Sequence, residues 1–154
     1  MNQTIKKLED MSLWSIGDYD AAGAHISEHL ISKEALREQA IEEVKRTKVS
    51  SGKVFSAFCD SQSAEAIIHE AILNPLNKKR IKAWIESKDY EQQNKIIISY
   101  PANQIIGYSY VVEGENIKYE ECEYICLVFL KAKKTEDFLL YTAYPERTKI
   151  LTVL

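Results

Sequence analysis

The sequence predicts an α+β domain in which N-terminal helices pack on a twisted antiparallel β-sheet. Two observations carry this. Apolar residues recur at helical spacing through the first half of the chain, and beyond Lys88 they gather in short β-branched and aromatic runs divided by turn signals. A length of 154 residues with 45% hydrophobic content suits one domain around one core.

The first 20 residues mix Lys, Asp and Ser with isolated Trp14 and Ile16 and read as a lead-in, with the domain running from residue 21 to 154. The helical signal strengthens from "AAGAHISEHL". In "SKEALREQAIEEVKR", Leu36, Ala40, Ile41 and Val44 form an apolar face, and Ser32 suits the N-cap. "TKVSSGK" is a loop, marked by Gly52 and the serines. A second helix follows in "CDSQSAEAIIHEAIL", capped by Asp60, Ser61 or Ser63, with Ala64, Ile67, Ile68, Ala71 and Ile72 inward and Pro75 ending it. A third, "NKKRIKAWIES", turns Ile81, Trp84 and Ile85 toward the core. Its Lys78, Lys79, Arg80 and Lys82 are the densest basic run, ordinarily a solvated helix face and otherwise an RNA-facing patch. The strands predicted next are "KIIISY", "QIIGYSYVV", "CEYICLVFLK", "DFLLYTAYP" and "KILTVL", punctuated by "PAN", "EGEN" and "KKTED". No repeat or low-complexity segment interrupts the pattern.

Several function classes lose support at once. A formal charge of −3 is not that of a strongly basic nucleic-acid coat, although an enzyme engaging a few phosphates needs only local positive charge. The stretches of apolar residues are too short for a membrane helix, and the N-terminus lacks an apolar signal-peptide region, so the isolated domain is expected to be soluble. Cys59, Cys122 and Cys126 lack zinc-site spacing and are expected to be small buried residues. Glycine-rich phosphate loops, dinucleotide fingerprints, Cys-x-x-Cys pairs and nucleophile elbows are missing from the sequence. No cofactor or metal is expected.

Three histidines remain as candidate proton-transfer groups. His69, within "AEAIIHEAI", reads as structural or exposed. His25 and His29 lie four apart in "AGAHISEHL" and would share a side if that segment were helical. A metal held by the pair would need a third ligand that the zinc-protease pattern does not find here. Near the other end, "FLLYTAYPER" raises a different point. In a regular strand Phe138, Leu140, Thr142 and Tyr144 share one face, with Leu139, Tyr141 and Ala143 on the other. That face changes from apolar to hydroxylated, either because the strand leaves the core or because Thr142 and Tyr144, about 7 Å apart along the strand, face a ligand together.

The order "AHISEHL", Leu36 and Arg37, "FSAFCDSQSAEAII", "IKAWIES", "QIIGYSYVVEG", "CLVFL" and "LLYTAYP" resembles the RNase A-like toxin domain at the C-termini of bacterial contact-dependent growth inhibition proteins. The resemblance covers about residues 22 to 146, and "TAYP" with its aromatic strand is the most specific part. It implies an RNase A-like fold and a metal-independent endoribonuclease that cleaves RNA, with tRNA among the candidate substrates, to a 2′,3′-cyclic phosphate. It also implies a site made of His29, Arg37, Thr142 and Tyr144. His29 fits the motif better than His25. Arg37 is the nearest arginine, alignment on Leu36 would put Gln39 there instead, and Arg46 is a second candidate. His29 would move protons, Arg37 would steady the phosphate, and Thr142 and Tyr144 would hold it, with Tyr144 a candidate acid. A cognate immunity protein would cover the cleft. The domain would be delivered from the cell surface within a larger effector and act in the cytoplasm of a neighbouring cell, where a chain without paired disulfides can work. The alternative is a nuclease-like fold that has lost activity and serves as a binding module.

Overall fold

The computed structural model describes residues 15 to 21, 24 to 47, 52 to 87, 94 to 131 and 138 to 147. Three capped helices lie where the apolar periodicity places them. Ser32 accepts from the Ala35 N–H at 3.1 Å at the start of α2, Lys33–Thr47. Asp60 accepts from the Ser63 N–H at 2.6 Å and from its hydroxyl at 3.0 Å, opening α3, Ser61–Leu73, whose inward face is Ala64, Ile67, Ile68, Ala71 and Ile72. Asn74 then caps α4, Pro75–Glu86, with Pro75 in the first turn, where its missing N–H costs nothing. Pro75 therefore separates two helices, and Ile81 and Trp84 of the second are buried. The other end of α4 is closed by buried Lys131, whose Nζ donates to the carbonyls of Trp84 and Ser87, both at 2.6 Å.

Two elements differ from the helical expectation near the N-terminus. The end of the stretch expected to be a lead-in forms a short helix, α1, Ile16–Ala21, and buries Ile16 and Tyr19 in the main core. "AGAHISEHL" makes only a 3-10 turn, Ser27–His29. Its backbone is drawn elsewhere: the Asp20 carboxylate takes the N–H groups of Ile26 and Ser27 at 2.9 and 3.1 Å, and the His25 N–H donates to the Tyr141 carbonyl at 2.8 Å.

The strands form two three-stranded antiparallel sheets where one was expected. The first has the order β2-β5-β6, from Lys95–Pro101, Tyr124–Lys131 and Phe138–Glu146. The second has the order β1-β3-β4, from Val54–Phe58, Gly107–Glu113 and Asn116–Cys122. Strands β1 and β4 are additions to the predicted set, while "KILTVL" lies outside the described residues. Helices α1, α3 and α4 cover the first sheet through a core that includes Phe58, Ile68, Trp84, Ile98, Leu127, Phe129 and Phe138. Helix α2 covers the second through Leu36 and Ala40 against Ala57, Tyr110 and Val112. The sheets meet at Gly107, where a Cβ would stand 2.5 Å from the Ala57 carbonyl oxygen and 2.7 Å from the Pro145 ring. Among the described residues no helix is long and apolar enough to cross a membrane.

Strand β6 carries the feature that shapes the site. Val128 pairs with Thr142 but the next residue, Phe129, pairs with Leu140, so Tyr141 is an extra residue bulged out of the ladder. A bulge reverses the alternation. Phe138 and Leu140 point into the core before it, and Ala143 and Pro145 do so after it, which leaves Thr142, Tyr144 and Glu146 on the opposite face. Phe138 and Leu140 thus do not share a face with Thr142 and Tyr144. The change from apolar to hydroxylated arises from this phase shift, while the strand continues to Glu146.

Candidate active site

The face released by the bulge lines an open cleft of about 510 Å³. Thr142, Tyr144, Glu146 and bulged Tyr141 come from β6, Val54 and Ser56 from the edge strand β1, Glu28 and His29 from the 3-10 turn, and His25 from the residues that lead into it. The 3-10 segment is docked on the bulge itself. Besides the His25 N–H bond to Tyr141, the Thr142 hydroxyl reaches the His25 carbonyl at 3.5 Å.

His29 is held by its Nδ1, 2.8 Å from the Ser56 carbonyl oxygen. A carbonyl only accepts, so Nδ1 carries the hydrogen and the Nε2 lone pair is left for a proton. The ring lies 5.6 Å from the Tyr144 ring, centroid to centroid and tilted by 34°. Half-buried Tyr144 has its hydroxyl pKa pushed above the ordinary tyrosine range, first by burial and then by its hydrogen bond with Cys126. It stays protonated, which suits a hydrogen-bond donor and makes it a poor source of protons. His25 sits in the cleft with Nδ1 3.6 Å from a Glu28 carboxylate oxygen and its ring steeply inclined to that of Tyr141, at 71° with centroids 5.1 Å apart. Burial raises the pKa of Glu146 above the usual carboxylate value.

The expected residues divide. His29, Thr142 and Tyr144 meet in one cleft, although 113 positions separate His29 from Thr142. Arg37 stands apart, exposed on α2, because its neighbour Leu36 takes the inward position of that turn. Gln39 and Arg46 line a different groove with Lys53 and Phe55, and Arg46 is paired with buried Glu43. No lysine or arginine lines the cleft among the described residues. Cys122 and Cys126 are buried as expected, with thiol pKa values pushed up to about 11 chiefly by burial, whereas Cys59 is exposed. Sequence reasoning weighed His25 but missed Tyr141 and Glu146 as cleft residues. The bulge that turns Tyr141 there leaves no mark in a two-residue period, whereas Glu146 follows Thr142 and Tyr144 at that period and could have been read from it.

Fold and cleft together define a small α+β domain whose concave site joins imidazole, hydroxyl and carboxyl groups. The chain belongs to the bacterial CdiA-CT RNase A domain family, whose model matches residues 18–145. Its fold is also that of a solved structure described as the CdiA-CT/CdiI complex from Y. kristensenii 33638, with a TM-score of 0.59 and 23% identity over 79% of this chain and 96% of that one. None of the curated proteins matches the chain.

Proposed function

We propose that the protein is a metal-independent endoribonuclease toxin domain used in competition between bacteria. The observation that carries this reading is the meeting of His29, Thr142 and Tyr144 in one cleft of a family member. His29 Nε2 takes the proton from a ribose 2′-OH, and the 2′-oxygen bonds to phosphorus. The bond to the 5′-oxygen breaks, and that oxygen receives a proton, giving a 2′,3′-cyclic phosphate and a free 5′-OH. Thr142 and Tyr144 turn their hydroxyl hydrogens from the His25 carbonyl and from Cys126 to the non-bridging oxygens, where charge builds in the transition state. Arg37 has no part in this scheme, since it lies off the cleft. A base of this kind contributes about 10²- to 10⁴-fold in rate.

Family membership supports the rest of the reading. The domain is carried at the end of a larger effector, enters a neighbouring cell, acts on RNA in its cytoplasm and is neutralised by a cognate immunity protein that covers the cleft. Among the described residues no group of three or more His, Cys, Asp or Glu side chains is arranged to hold a metal ion.

A second reading, a binding module without activity, is favoured by one observation: a cleft that carries Glu28 and Glu146 and no lysine or arginine among its described residues. A gel assay on total RNA and tRNA in excess EDTA separates the two. Cleavage that survives EDTA and disappears in His29→Ala supports the ribonuclease. A folded wild-type protein that leaves all RNA intact supports the binding module.

A further inference from the structure

The scheme above needs a donor for the departing 5′-oxygen. His29 is committed as base, with Nδ1 fixed on Ser56, and Tyr144 holds its proton too tightly to give it up. Three other ionisable side chains of the cleft are suited by type to the task, His25, Glu28 and Glu146. Charge decides among them. A carboxylic acid that gives up its proton becomes an anion beside a phosphate, in a cleft that already holds the other glutamate and has no lysine or arginine among its described residues. An imidazolium instead arrives as a cation, offsets the phosphate charge and leaves neutral.

We propose that His25 is the second proton-transfer residue of the site, delivering a proton to the leaving 5′-oxygen, with Glu28 as the residue that positions it. This inference rests on the ribonuclease reading. His25 is fixed by its main chain rather than its ring: its N–H is held by the Tyr141 carbonyl at 2.8 Å, and its own carbonyl lies 3.5 Å from the Thr142 hydroxyl. The imidazole is therefore half-exposed, 52% by side chain, and able to take a new proton from water after each turnover. Contacts with Glu28 and with the Tyr141 ring limit its swing, and the further ionisable groups facing the same cleft are His29, Tyr144 and Glu146. In the reaction His25 loses one proton as His29 gains one, so the pair returns to its starting state through solvent.

The test compares RNA with a nucleoside 3′-aryl phosphate, whose phenolate leaves without protonation. His25→Ala is expected to slow RNA cleavage by about 10²- to 10⁴-fold and to cleave the aryl ester at close to the wild-type rate, while His29→Ala loses both. Glu28→Gln, which weakens the contact that limits the swing of the His25 ring, is expected to slow RNA cleavage while leaving aryl ester cleavage close to the wild-type rate. Equal losses on both substrates in His25→Ala, or full RNA cleavage, would overturn the assignment. Failure of the wild type on both substrates would instead sink the ribonuclease reading. The main-chain anchors survive substitution of the ring, so an unchanged thermal midpoint serves as the folding control.

Discussion

At the scale of single residues, the cleft separates donors from proton carriers. Tyr144 lies close to the His29 ring yet its hydroxyl titrates above the ordinary range. Tyr144→Phe should therefore lower the rate of RNA cleavage by about 10- to 10³-fold, on the scale of one lost transition-state donor, while leaving both limbs of the pH–rate profile in place. A moved limb would make Tyr144 a proton carrier after all. Glu146 illustrates the opposite sign of linkage. Its folded pKa is raised, so the fold favours the protonated form, and stability falls as pH rises from the unfolded value near 4.5 through the folded one. Glu146→Gln should raise the thermal midpoint at pH 7 and change it little at pH 4. Equal midpoints at pH 7 would show that the carboxylate is better solvated than its burial implies.

Between residues and the whole, the elements show which patterns sequence can carry. Helices α3 and α4 were legible because caps and apolar faces agree, as at Asp60 with Ile67 and Ile68. Strand β4 was not, since Glu120, Glu121 and Lys118 on an exposed edge strand look like a polar loop. Strand β1 was missed because "VFSAF" is short and sits between a loop and a helix cap. His29, Thr142 and Tyr144 were found through a family resemblance, and the arginine failed because resemblance fixes order along the chain but not which side of α2 a residue takes. The packing of the sheets makes its own prediction. Gly107→Ala would press a methyl group on the Ala57 carbonyl and the Pro145 ring, driving apart β1 and β6, which also wall the cleft. A loss of about 1–3 kcal/mol is expected, in line with overpacked interiors, read as a lower urea midpoint. An unchanged midpoint would mean that the sheets have slack.

For the whole molecule, stability rests on two cores, since the described cysteines are free thiols and two of them are buried with raised pKa values. Acid should loosen it. The pKa of Asp60 is lowered by the Ser63 N–H and hydroxyl, and that of Glu120 by Lys118 and Arg147. Each contributes stability above its unfolded value, 3.8 for Asp60 and 4.5 for Glu120, that is lost as pH falls through the folded one. The urea midpoint should drop between pH 5 and pH 3, and Asp60→Asn, which keeps the cap but cannot titrate, should flatten part of that drop. A drop unaltered in Asp60→Asn would assign the acid sensitivity elsewhere. The bulge at Tyr141 carries a consequence of another kind. What puts Thr142 and Tyr144 in the cleft is the count of residues between Leu140 and Ala143 as much as their identities. A library of single substitutions, however complete, is blind to such a determinant, because every member preserves the count. Relatives that gain or lose one residue here would keep every motif letter and yet turn their site inside out.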